Sequence, residues 1–285
     1  MIYNQTLSAK ILQRSSGLKA KIENSDGYNN LKNNLRSLEI DQQIFYITEG
    51  DLLLDEDELL IYSMEQDIND NIKAMGTFST FGRENELLGI INAGKTVRWK
   101  PGLILTYRVL KTTFRNEKEY KIVKANMKRA TTNWEAACGI KFKHISRLDN
   151  SNSTRPEGVI FPVRGINANG QFIASAFFPT YPKNRWRNLI DPSYFTSRFN
   201  KIGILRHELG HVIGLRHEHI RSGAPAVCPN EELGNTIKLT DYDPNSVMHY
   251  FCGGVGSKSL TISELDKIGS QKLYGPPFKE FDFIG

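Results

Sequence analysis

The chain lacks any apolar run near the roughly 18–20 residues needed to span a membrane. Its first 30 residues carry no apolar stretch of the secretory-leader kind, so an exported chain had its leader removed before this numbering begins or leaves by another route. Cysteine is scarce, with three among 285 residues, which excludes a disulfide scaffold. No internal repeat is present, and that excludes a solenoid. The formal net charge is +6, yet no Lys/Arg run interleaved with aromatics appears, so no nucleic-acid partner is expected.

What is present is enough for a packed core: 39% hydrophobic residues, with 15 Phe, 11 Tyr and three Trp. The length exceeds the usual size of one domain, and one large domain or a domain plus an appendage is expected. Charge divides the chain. Residues 1–90 carry eight Lys/Arg against 15 Asp/Glu, a net of −7; residues 91–285 carry 29 against 16, a net of +13. An acidic segment folded over a basic domain is the simplest account of that asymmetry.

Histidine is sparse too, but its placement is informative. Five of the six fall between His207 and His249, and His207–His217 reads HELGHVIGLRH. Positions four apart share one helical face, so His207 and His211 can aim ring nitrogens at one point. Glu208 is rotated off that axis, where a carboxylate reaches a water beside a metal. Gly214 suits the left-handed residue that ends a helix, letting His217 return from a new direction. Three protein ligands with a position left open is the pattern of a catalytic rather than a structural zinc ion. The alternative is a zinc-binding module without catalysis, which has no need of Glu208.

This motif, HExxHxxGxxH, resembles that of the metzincin zinc endopeptidases. The segment Ser246-Val247-Met248-His249-Tyr250 is similar to the Met-turn of their astacin-like branch, and a matrixin-like metzincin is the runner-up. The resemblance implies an α+β fold: a twisted, mostly parallel sheet with an antiparallel edge strand, a zinc helix, a Met-turn and a C-terminal helix. It implies zinc-dependent hydrolysis of internal peptide bonds in protein substrates. His207, His211 and His217 would hold one Zn2+, with Glu208 as general base, Met248 as the floor below the metal and Tyr250 as a displaceable further ligand that also stabilises the transition state. Ala174, Ser175, Ala176 and Phe177 would form the edge strand that pairs with substrate, and an ordinary core strand is the alternative.

The resemblance also implies a proenzyme, with residues 1–90 as pro-segment and 91–285 as catalytic domain. Family zymogens place a pro-segment aspartate from a FxGD motif on the zinc. Thr48-Glu49-Gly50-Asp51 keeps the glycine and aspartate but has Thr48 where the family has an aromatic residue. Asp51 is thus the expected inhibitory ligand, against a simple turn capping the acidic helix that follows. Cleavage between roughly residues 84 and 95 would free an amine to reach Glu218. Cys228 and Cys252 flank segments that must converge beneath the metal; a bridge between them would imply an oxidising, extracellular setting, the alternative being two free thiols. A proteolytic toxin or effector delivered into another cell fits the same site. Cys138 is expected as a small buried hydrophobe. His219 and His249 are expected as supporting groups, and Lys258 as a contact for an acidic residue after the scissile bond.

Pattern places strands at 103–110, 139–146, 159–163 and 172–178. Helices are expected at 117–137, 200–213 and 261–273, the last capped by Thr261 or Ser263. Residues 51–66 read as a strand or turn entering a helix, residues 76–95 as linker, and residues 1–45 show only weak periodicity.

Overall fold

A computed structural model describes residues 16–64, 87–92, 94–153, 156–220, 224–225, 227–228 and 236–278. The N-terminal part contains α1 (Ser16–Glu23) and α2 (Asp26–Asn34), then strands β1 (Arg36–Ile40), β2 (Gln43–Thr48) and β3 (Leu52–Leu54), then helix α3 over residues 56–64. The strands form an antiparallel sheet in the order β1-β2-β3. Asp41 and Gln42 close the first hairpin with positive φ at both positions, a two-residue turn whose twist matches its strands. Thr48 faces Leu52 in the second hairpin, so Glu49, Gly50 and Asp51 make its three-residue tip. Asp55 and Glu58 cap α3 reciprocally through side chain and backbone, each at 3.0 Å. The turn at Asp51 is therefore left out of the capping.

Strand β4 (Leu88–Asn92) pairs with β5 (Lys95–Thr96) and with the distant β11 (Thr236–Lys238). The linker expected at 76–95 does not extend across it; residues 76–86 lie outside the described residues. Leu87, just ahead of β4, is buried in the main core.

Strand β6 (Ile104–Val109) leads to helix α4 (Glu117–Ala137) and back to β7 (Lys141–His144), parallel to β6. Asn116 caps α4, its side chain accepting from the Glu119 amide. Strands β8 (Phe161–Gly165), β9 (Ala174–Ser175) and β10 (Asn188–Ile190) complete a sheet of order β7-β6-β8-β10-β9. All neighbours run parallel except β9, which is antiparallel on the edge. The strand expected at 172–178 shrinks to two residues; Ala176 and Phe177 continue beyond it, buried in the core. Three-residue β10 carries too little pattern to be read from sequence.

One turn of helix α5 (Ser193–Thr196) precedes α6 (Lys201–Val212). Helix α7 (Glu264–Tyr274) follows, its cap being Ser263 rather than Thr261, with Asp266 answering in a full capping box. Helices α4 and α6 pack together around Trp134, which is fully buried and donates its indole N–H to the Arg206 carbonyl at 2.8 Å. This core positions everything below.

Candidate active site

Helix α6 starts at Asn200, whose side chain accepts from the Gly203 amide. His207, Glu208 and His211 lie in its C-terminal half and are buried. The helix stops at Val212, and Gly214 turns the chain at φ +92°. The Arg216 amide then bonds the Leu88 carbonyl at 2.9 Å, so β4 guides the returning chain and delivers His217.

The three imidazoles and the Asp51 carboxylate converge, all four ligand atoms lying within 4.8 Å of one another. His211 Nε2 stands 3.1 Å from His217 Nε2. Asp51 oxygens stand 3.3 Å from His207 Nε2, 3.3 Å from His217 Nε2 and 3.9 Å from His211 Nε2. Four donors held tetrahedrally at zinc bonding distance would lie about 3.3–3.4 Å apart. Three of the four separations fall close to that spacing and the fourth is about half an ångström longer, so the set is of the size that a zinc ion needs. Two further facts fit a cation there. His207 Nε2 and Asp51 Oδ1 are buried without a hydrogen-bond partner. The Nδ1 atoms of His207 and His211 face the Val247 and Leu215 carbonyls at 2.8 and 2.9 Å, which fixes the tautomer and leaves Nε2 for a metal.

Charge follows from burial. Burial lowers the His211 pKa to about 4, keeping the ring neutral. Burial alone would raise Asp51, but the charge of His217 and the close approach of all three rings outweigh it and hold Asp51 well below its ordinary range. Glu208 is pushed well above its range by burial and then by the neighbouring Asp51 charge. Its Oε2 is buried without a hydrogen-bond partner.

Met248 is fully buried under this cluster. A Cβ on Gly210 would overlap Met248 Sδ, so the helix needs glycine where the methionine enters. Sequence reading missed Gly210, because a glycine inside a helix signals only lost propensity until its neighbour is known. It also missed Asp266. That buried carboxylate accepts from Ser246 Oγ at 2.6 Å and from the Val247 amide at 2.8 Å. Val247 meets His207 Nδ1 with its own carbonyl, so the residue that completes the capping box of α7 props a ligand of the cluster.

Asp51 arrives on the hairpin tip. Glu49 at φ +52° and Gly50 at φ +84° bend it sharply. A Cβ on Gly50 would stand 3.0 Å from Tyr250 ring and hydroxyl atoms, so glycine allows the tip to lie against Tyr250. The Tyr250 hydroxyl donates to the Glu49 carbonyl at 2.9 Å, and its ring stacks on His219 with centroids 4.3 Å apart. The hydroxyl is thus engaged by the hairpin in this conformation. Glu218 is buried and accepts from the Asp243 amide at 2.9 Å. His249 meets the Tyr242 hydroxyl at 2.8 Å, supporting the turn from behind. His144 pairs with buried Asp149 at 2.9 Å, remote from the cluster in the β7 region.

Cys228 and Cys252 form a disulfide, and Cys138 is buried and free. Beside Glu208 opens a cavity of about 410 Å³ whose walls include Phe172, Ala174, Phe199, Ile204 and Leu260. Ala174 of the edge strand contributes to this wall, while Ser175 is buried in the same strand. Lys258 is not part of this lining; its ammonium lies 4.9 Å from the Phe251 ring centroid.

The sequence pattern of the matrixin family (Matrixin, Peptidase_M10) matches residues 98–243, 146 of the 285 residues, including all three histidines of the zinc helix and its return. No curated protein sequence matches the chain. Among solved structures, the chain is similar to high choriolytic enzyme 1, a hatching enzyme zinc-protease from Oryzias latipes (medaka fish). The identity is 18%, the TM-score 0.38, and the match covers 63% of this chain and 94% of that one. With half the chain matched by the family pattern, and with a buried cluster shaped for zinc, the chain belongs to the matrixin family and is a metzincin zinc metalloendopeptidase.

Proposed function

We propose that this zinc endopeptidase is held in an inactive state by its own N-terminal segment, with Asp51 as the blocking ligand. The observation that carries the reading is the placement of the Asp51 carboxylate within zinc-sphere distance of His207, His211 and His217. The segment ahead of Leu87 acts as pro-segment and the rest as catalytic domain. Cleavage ahead of Leu87 activates the enzyme, because β4 is paired on both sides within the catalytic body and resists separation.

His207, His211 and His217 would hold a zinc ion through their Nε2 atoms. When bound, the metal supplies a Lewis acid that polarises the scissile carbonyl and lowers the pKa of water. Glu208 takes the proton from the attacking water and returns it to the leaving amine. Tyr250, released from the Glu49 carbonyl when the hairpin departs, donates to the oxygen that gains charge in the transition state. The β9 edge from Ala174 to Phe177 receives the extended substrate by strand addition. Met248 and Gly214 shape the site, and Glu218 receives the new N-terminus. The enzyme works outside the cytosol, a setting supported by the Cys228–Cys252 bridge.

The test is Asp51→Ala in the uncleaved, zinc-loaded chain. Peptide hydrolysis should rise on the order of tenfold or more, since about 1.4 kcal/mol of lost blocking corresponds to tenfold. An uncleaved variant no more active than the parent chain would retire Asp51 as the block.

A further inference from the structure

The N-terminal segment is held by more than Asp51. Four arginines of the body take its acids. Arg164 grips Asp41 with two bonds of 2.9 and 3.0 Å, and Arg187 reaches the same carboxylate at 3.2 Å. Arg185, with its side chain only 4% exposed, meets Asp55 at 3.2 Å and also Glu58 and the Leu53 carbonyl. Arg216, beside the ligand His217, meets Glu49 at 2.5 Å. Glu49 lies two residues before Asp51 and Asp55 four after it, so the arginines meet the hairpin on both arms beside its tip. Arginine suits such a strip, because its planar fork binds carboxylates in a fixed geometry and keeps its charge at every relevant pH.

We propose that this arginine strip outlasts the pro-segment and directs the activated enzyme to acidic stretches of its protein substrates. The inference rests on the reading of residues ahead of Leu87 as a removable segment. A substrate chain that takes the place of the departed hairpin meets guanidinium groups already spaced for carboxylates. Charges of this kind select partners and speed encounter more than they add affinity, so the signature is a moderate, salt-sensitive preference.

The experiment uses the full chain, zinc-loaded and cut ahead of Leu87. Two labelled peptides share one apolar sequence, flanked by Asp/Glu in the first and by Asn/Gln in the second; binding is read by fluorescence anisotropy. The acidic peptide should bind about fivefold more tightly at low salt. The gap should close at roughly 1 M salt, where the screening length is about 3 Å. The double variant Arg164→Gln, Arg187→Gln should narrow the gap to about twofold, with thermal unfolding confirming that it folds. Equal affinities, a gap indifferent to salt, or no binding of either peptide overturns the strip. Zinc-dependent hydrolysis is measured on the same samples. A cut chain that prefers the acidic peptide yet hydrolyses nothing sinks the blocked-protease reading and leaves the strip standing.

Discussion

The N-terminal segment and the zinc-bearing body are built by different means. The body closes around its own core: β6, β8, α4 and α6 bury Leu105, Phe161, Met127, Trp134 and Leu209 against one another. The segment has a small satellite core around Tyr28, Leu59 and Leu60, but it turns Phe45, Ile47 and Leu53 toward Ala168, Phe172 and Leu189 of the body. Magnitudes separate the roles of its contacts. Burying a side chain such as Phe45 or Leu53 contributes roughly 1.5–3 kcal/mol, whereas an exposed pair such as Asp41–Arg164 contributes about 0–1 kcal/mol. Apolar burial holds the segment in place, and the ion pairs set its register. Asp51 then reaches the histidines as a consequence of that docking.

The largest test of this contrast strikes the body alone. Glu208→Gln should leave zinc content, measured by atomic absorption, and segment docking unchanged. Peptide hydrolysis by the cut enzyme should fall by about 10²–10⁴-fold, the range for loss of a general base. Full activity in that variant would detach catalysis from Glu208 altogether.

A smaller effect probes the rigidity of the body. At an open helix position Gly→Ala stabilises by about 1 kcal/mol. At Gly210 the new methyl meets Met248, and overpacking costs about 1–3 kcal/mol. Gly210→Ala should therefore lower the thermal midpoint and weaken zinc retention against a chelator. A raised midpoint would show that Met248 yields without cost.

The smallest effect belongs to the seam between the two parts. Arg164 hydrogen-bonds Asp41 and, against the opposing effect of burial, lowers its pKa below 3.8. A carboxylate depressed in the docked state contributes above its ordinary pKa and loses that contribution as pH falls through the depressed value. Docking should thus weaken below pH 3.8 by an amount that Asp41→Asn removes. Hydrogen exchange of β2 amides in the two proteins checks this; identical acid profiles would deny the pair any role in docking.

Legibility in the sequence differed between the same two regions. Helices α4, α6 and α7 and strands β6 to β8 announced themselves, because periodicity and capping are local. In the segment only residues 51–66 were legible, as β3 and α3; β1 and β2 are short, and part of their apolar surface is completed by the body, so no periodic stripe of useful length exists. Strand β10 was hidden for the same reason. Strand β4 was obscured by its glycine, and its pairing partner β11 lies more than 140 residues away. The acidic excess of residues 1–90 was readable as charge, but its arginine partners were not.

The sequence by itself determined the metal chemistry. Helical periodicity, one glycine and a returning histidine bring three imidazoles together within eleven residues, so their spacing made the metal site legible. Tertiary structure decided what meets those imidazoles. The arrival of Asp51, the glycine contact under Met248, the Asp266–Val247–His207 support and the arginine strip join residues far apart in the chain. Such contacts come from packing in three dimensions, and local sequence carries no record of them until the chain is folded.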